Sequence, residues 1–265
     1  MLDTINTNYF SGQGEIMLAK RSAAGNPGSF FMVGNAPKFE VTPAIERREH
    51  QESRSGHRLT DKVQTTTKGG TLSMTLEDIR KDNVALLLSG SKVTLASGSF
   101  TSGAPDTFPS GLVVGSIVKL ARPNASSIVI KDSAGTPATL TLGTHYRVLD
   151  AAHSLIEILS LGALVQPFKA EYSYAQTDVV TAMTANDDDE YFLYFAGVNT
   201  EGTPTDQKIG FQIYRVVFDA AEVLSLINAE QGSFDLAGRI LRDEARSADA
   251  NFGGFARWDY VTANA

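Results

Sequence analysis

Apolar and polar residues alternate along much of this chain. In Lys38–Glu46 the apolar Phe39, Val41 and Ile45 interleave with Lys38, Glu40 and Glu46. In Thr71–Glu77, Leu72, Met74 and Leu76 interleave with Thr71, Ser73, Thr75 and Glu77. A period of two is that of a strand buried on one face. Shorter stretches read the same way: Phe10–Arg21 with Ile16 and Leu18 on one face, Phe30–Val33, Tyr191–Asn199, Lys208–Phe218, and Ser233–Glu244 with Phe234, Leu236 and Ile240 against Asp235 and Arg239. Thr200–Gln207 reads as a hairpin loop between two of them. One segment breaks the period. In Asp78–Ser89, residues Ile79, Asn83, Leu86 and Leu87 fall at helical spacing between an opening acid and a closing Gly90, which predicts a short amphipathic helix. Asp219–Asn228 fits a helical turn and a short strand equally well. The first nine residues show no period and read as an arm. The tail after residue 244, with the only Trp, reads as either loose or docked on a neighbouring copy.

Residues 46–70 are different in kind, a long charged loop between two strands. From Glu40 to Lys62 there are five acids, five bases and two of the four histidines, with few apolar anchors. Two readings stand. The segment is a solvated hairpin tip, or it is a long arm ordered against a neighbouring subunit, where opposite charges supply register more than affinity. Connections of this length without apolar content are usually functional or disordered.

Texture changes again after residue 90. Ser91–Gly111 is rich in Ser, Gly and Pro and reads as a linker. Four strand-like runs follow, Leu112–Ala121, Ser126–Asp132, Thr144–Leu159 and Phe168–Ala175, separated by turn signals at the spacing of a small sandwich. Residues 91–178 carry six acids and six bases and read as a small, immunoglobulin-like β module inserted into a larger β domain made of 1–90 and 179–265.

Composition narrows the function classes. The chain has 265 residues, 23 Lys+Arg, 30 Asp+Glu and no Cys, so thiol nucleophiles, thiolate metal sites and disulfide scaffolds are excluded. A net charge of −7 opposes a protein that coats nucleic acid. That charge is uneven: residues 179–265 hold 14 acids and 6 bases, whereas the rest is nearly neutral. No run approaches the roughly 18 apolar residues of a membrane helix, and no charged leader precedes an apolar stretch, so neither membrane insertion nor secretion by signal peptide is expected. His50, His57, His145 and His153 are too scattered for a metal or base site. The run Asp187–Glu190 lacks the spaced ligands of a calcium loop and reads as a solvated acidic loop rather than a cation site. Neither a phosphate-binding glycine loop nor a nucleophile elbow occurs. The expectation is a non-enzyme without cofactor, metal or catalytic residues.

Taken in order, Gly14–Arg21, the Val33-Gly34-Asn35 turn, the charged arm Ala44–Lys62, the strand Leu72–Asp78 leading into a short helix, and the closing Lys208–Ile227 and Ser233–Glu244 resemble the tail tube (major tail) proteins of long-tailed, siphovirus-type bacteriophages. The resemblance implies a structural virion protein, assembled in the host bacterial cytoplasm. It implies homohexameric rings whose inner sheets join into a barrel and stack into a hollow conduit for double-stranded DNA. Its partners would be other copies, further tail components at the tube ends, a tape-measure protein in the lumen, and DNA as a cargo that is not gripped. The arm would contact the adjacent ring through Arg47, Arg48, Glu49, Glu52, Arg54, Arg58, Asp61 and Lys62. Glu40, Thr42, Thr75 and Glu77 are the lumen-facing candidates, and the inserted module would project outward. The alternatives are a carbohydrate-binding β-sandwich protein, a related secretion-system tube ring, and a hydrolytic β enzyme.

Overall fold

A computed structural model describes residues 9–184, 189–201 and 207–261 of the chain. Strands make up 50% of it and helices 5%, a mainly β protein with several antiparallel sheets. The first third supplies β1 (Gly12–Arg21), β2 (Pro27–Met32), β3 (Lys38–Gln51), β4 (Thr60–Leu76) and helix α1 (Lys81–Leu87). The middle supplies β5 (Lys92–Leu95), β6 (Gly98–Phe100), β7 (Asp106–Thr107), β8 (Ile117–Lys119), β9 (Ala125–Lys131), β10 (Tyr146–Asp150), β11 (Leu155–Ile158), β12 (Lys169–Tyr174) and β13 (Thr177–Val180). The last third supplies β14 (Tyr191–Asn199), β15 (Gln207–Phe218), β16 (Phe234–Ile240), helix α2 (Glu244–Ser247) and β17 (Ala256–Val261).

These elements form two compact units, one of residues 1–92 and 180–265, the other of Val93–Val179. In the first, eight strands make one sheet in the order β2-β1-β14-β15-β16-β4-β3, with β17 added to β15. Along one edge β15 meets β14, while β17 and then β16 share its other edge, at Lys208–Ile213 and Val216–Phe218 respectively. The sheet curls onto itself. Phe39 of β3 and Phe195 of β14, far apart in strand order, bring their rings to 5.9 Å. Ile16, Leu18, Leu193 and Ile213 thereby face Leu72, Met74, Leu76, Leu236 and Ile240 across one core. The alternation of β16 is complete, buried at every second residue from Phe234 to Ile240.

Helix α1 starts three residues later than its apolar spacing implies. Asn83, fully buried, donates to the carbonyls of Val33 (2.7 Å) and Asp78 (2.8 Å), so Asp78 is held in the preceding turn rather than in the helix. Ile79 is left 70% exposed, and only Asn83, Leu86 and Leu87 are buried. The same amide fixes the Val33-Gly34-Asn35 turn. Gly34 has φ +83° and lies against Asp78, with no room for a side chain.

Two expectations are corrected here. The described part of the tail is not loose: α2 and β17 dock on the chain's own sheet, with β17 pairing Val261 to Lys208 through Ala256 to Ile213. Asp219–Asn228 forms neither helix nor strand; only Ala221 and Leu224 pack on the core.

The second unit wraps a three-stranded sheet, β10-β11-β8, and a four-stranded one, β6-β12-β7 with β9 on β12, around one core that includes Ile130, Ile156, Ile158 and Phe168. Ser91–Gly111 is therefore no linker. It contributes β5, β6 and β7, and Phe108 is buried in this core. Within Leu112–Ala121 only Ile117–Lys119 is strand, and Thr144–Leu159 is the β10–β11 hairpin.

Truncating a central side chain tests the curled core. Leu193→Ala, at a site with 0% exposure, is expected to cost about 3 kcal/mol in urea unfolding. An equivalent change at exposed Leu226 is expected to cost under about 0.5 kcal/mol.

Candidate assembly surface

Beyond Pro43 and Gly70, β3 and β4 leave the body of the sheet as a two-stranded ribbon. Eight pairs run from Ala44–Gly69 to Gln51–Thr60, a reach of about 26 Å. Residues 46–70 are thus paired strand around a short tip, and the long charged loop is corrected accordingly. The cause lies in β4, where Val63 and Thr65–Thr67 favour extended backbone. Arg47, Arg48 and Glu49 lie on β3, Asp61 and Lys62 on β4, and Glu52, Arg54 and Arg58 in the tip.

Every residue from Thr42 to Lys68 is exposed except Glu52, which is half-buried. Glu52 holds the tip: it accepts from the backbone N–H of Arg54 and Ser55 and from the Ser55 hydroxyl. The hydroxyl bond, then the two backbone bonds, keep its carboxyl below the usual range. His50 Nδ1 sits 2.6 Å from Asp61. Among the described residues, Arg47, Arg48, Arg54, Arg58 and Lys62 make no salt bridge. On the ribbon side that continues the core-facing parity of Phe39 and Val41 lie Ile45 and Val63, each 54% exposed. An isolated two-stranded ribbon is marginal in water, so this one presents both faces for a covering surface.

Glu40, Thr42 and Thr75 share the outer face of the curled sheet, opposite the core. Their cross-strand neighbours are Ser73 for Glu40, Thr71 for Thr42, and both Lys38 and Asp235 for Thr75. Thr75 donates to Asp235 at 2.6 Å and Lys38 pairs with Glu40 at 3.0 Å. Glu77 does not belong to this array. It lies past the end of β4, accepting from Asn35 and Gln231. Asp235, Ser73 and Thr71 complete the face and were readable from parity once the β16–β4 register was known.

Strand pairing also leaves edges. Among the described residues β3 has β4 on one side and no strand on the other, and β1 meets β2 only from Met17 onward. Near these edges a groove of about 940 Å³ is lined by Phe10, Gly14, Phe39, Phe195, Phe211 and Trp258. Neither the edge nor the groove carries a sequence signal, because pairing partners are a tertiary property.

Ion pairs lock the closing part of the chain to its beginning. Arg21 donates to Glu190 (2.6 Å) and Asp243 (2.8 Å), Arg215 donates to Glu190, and Arg246 donates to Asp243 (2.6 Å). Burial opposes the charge on both carboxylates. The Arg215 and Arg21 bonds at Glu190 outweigh that burial, as do the Arg246 bonds and the Arg21 charge at Asp243. Both groups are held below the usual carboxylate range. Asp189 pairs with Lys20 at 2.6 Å. The described half of the Asp187–Glu190 run is therefore occupied by the chain's own cations rather than solvated; Asp187 and Asp188 lie outside the described residues. Among the described residues no cluster of three or more metal-ligating side chains occurs. No described helix is long and apolar enough to cross a membrane.

No curated protein matches the sequence. Over residues 9–259 the chain matches, and belongs to, the family described as "Protein of unknown function UCP028589".

The ion-pair cluster sets an acid limit on stability. Because Glu190 and Asp243 are depressed when folded, their contribution is complete above the unfolded carboxylate values near pH 4 and is lost as pH falls through the folded ones. Asp243→Asn, leaving Arg21 and Arg246 uncompensated, is expected to cost about 3–5 kcal/mol at pH 7. It should also flatten the fall in denaturation midpoint between about pH 5 and pH 3.

Proposed function

We propose that this chain is a ring subunit of a hollow, self-assembling tube of the long-tailed-phage tail type. Homohexameric rings stack into a conduit for double-stranded DNA within the virion. The observation that carries the reading is the β3–β4 ribbon, exposed on both faces for eight strand pairs and continuous with an unpaired sheet edge. In a lone molecule, such an edge is an aggregation hazard and such a ribbon has no core of its own. In a closed ring both acquire partners.

The outer face suits passage rather than capture. Its hydroxyls come from Thr42, Thr71, Ser73 and Thr75, and its charges are paired locally, Lys38 with Glu40 and Arg239 with Asp219 at 3.7 Å. A binder of duplex DNA instead sets several cations along the phosphates. A lumen lined this way would let a tape-measure protein and then DNA pass. Further tail components would cap the ends, and assembly would take place in the host bacterial cytoplasm.

Negative-stain microscopy of the purified chain tests the reading, with stacked rings of constant diameter as the expected result. Replacing residues 46–67 by an Asn-Gly turn should leave the fold intact by circular dichroism and abolish stacks. Removing 93–179 with a short bridge should leave tubes. A wild-type chain that stays monomeric at all concentrations refutes the proposal.

A further inference from the structure

The ribbon and the segment 219–235 lie at opposite ends of the same strands. In the β16–β4 pairing, Ile240 meets Gly70 at the end where the ribbon departs, and Phe234 meets Leu76 at the other. Segment 219–235 leads into Phe234, and its first residue bonds back to Ala237. It stands off the outer face over a groove of about 560 Å³ lined by Lys38, Thr75, Glu222, Val223, Ser233 and Asp235.

The two ends are chemically complementary. Residues 219–235 contain Asp219, Glu222, Glu230 and Asp235 with no lysine or arginine. They also expose Val223, Leu226 and Ile227 at 72%, 77% and 95%. The ribbon carries Arg47, Arg48, Arg54, Arg58, Lys62 and Lys68 and exposes Ile45, Leu59 and Val63. Its acids are Glu46, Glu49, Glu52 and Asp61, four against six bases, of which Glu52 is taken up by the tip and Asp61 by His50. Aliphatic groups framed by unlike charge at the two ends of one body suit a contact between unlike surfaces, which propagates instead of closing as a pair.

We infer that the ribbon of one copy docks on the acidic, aliphatic segment 219–235 of the next copy, head to tail. This rests on the tube reading and names the acceptor that the ribbon requires. Arg47, on the ribbon face of Ile45 and Val63, would meet Glu222 or Glu230, while Ile45 and Val63 cover Leu226 and Ile227. Apolar burial would hold the contact and the charges would set its register, so added salt would slow assembly.

Two full-length variants test this, each with one end disabled: R47E/R48E on the ribbon, and L226D/I227D on the acceptor. All four positions are exposed, so both variants should keep the wild-type melting temperature. Wild type should stack, whereas each variant alone should need at least a tenfold higher concentration to do so in sedimentation velocity. Mixed after separate purification, the variants should yield paired particles that grow no further, since only one intact contact remains. Stacking of L226D/I227D like wild type, or a mixture that never pairs, overturns the acceptor assignment while leaving the tube reading in place. Failure of wild type to stack overturns both.

Discussion

The fold depends on the register between β3, β4 and β16. Strand β4 is 17 residues long and performs two tasks. From Leu72 to Leu76 its inward side chains are fully packed, and from Thr60 to Lys68 the same backbone has no core beneath it. A slip of one residue would turn Leu72, Met74 and Leu76 outward and bury Thr71, Ser73 and Thr75. Core burial fixes the register at that end, and within the ribbon the irregularities at Glu46/Arg47 and His50/Gln51 shift it, so that Val63 comes to the side of Ile45.

The second constraint is coverage of the sheet's other side around β14 and β15. Phe192 and Tyr214 point away from the main core and are nonetheless buried. The segment between β16 and β17 covers them. Arg246 lies over both rings, at 5.7 Å and 5.2 Å, and the Tyr214 hydroxyl donates to the Phe252 carbonyl at 2.9 Å. Arg21 and Asp243 pin this cover to β1. The acidity concentrated after residue 179 is thus partly internal: Asp189, Glu190 and Asp243 neutralise cations of the same unit, whereas Asp219, Glu222 and Glu230 remain at the surface.

Strict alternation made β3, β4 and β16 readable in advance, because each is buried on one side only. The ribbon's pairing was hidden, since charged residues on both faces erase the two-residue period that marks a strand. The tail was hidden for another reason. It is held by Arg21 on Asp243, partners 222 positions apart, and by Arg246 over Phe192 and Tyr214, and an arginine over an aromatic ring leaves no hydrophobic signature. The start of α1 was misread because Asn83 serves a turn as well as a helix. The arm's charges lie together on β3, β4 and the tip between them. The aliphatic trio Val223, Leu226 and Ile227 lies at the surface.

The way the second unit is spliced in has a thermodynamic consequence. The chain leaves the first unit at Lys92 and re-enters at Val180, and the two crossings, β5 and β13, are paired strands, tied further by Thr94 to Asp178 at 2.7 Å. To the first unit, 87 intervening residues are equivalent to a hairpin whose ends are already together. Loop-closure entropy grows only with the logarithm of loop length, and here the pairing itself settles that cost. The splice point is thus closed by strands that the second unit itself largely supplies. A longer or shorter module that keeps the β5–β13 pairing could occupy the position with little change in loop-closure cost to the first unit.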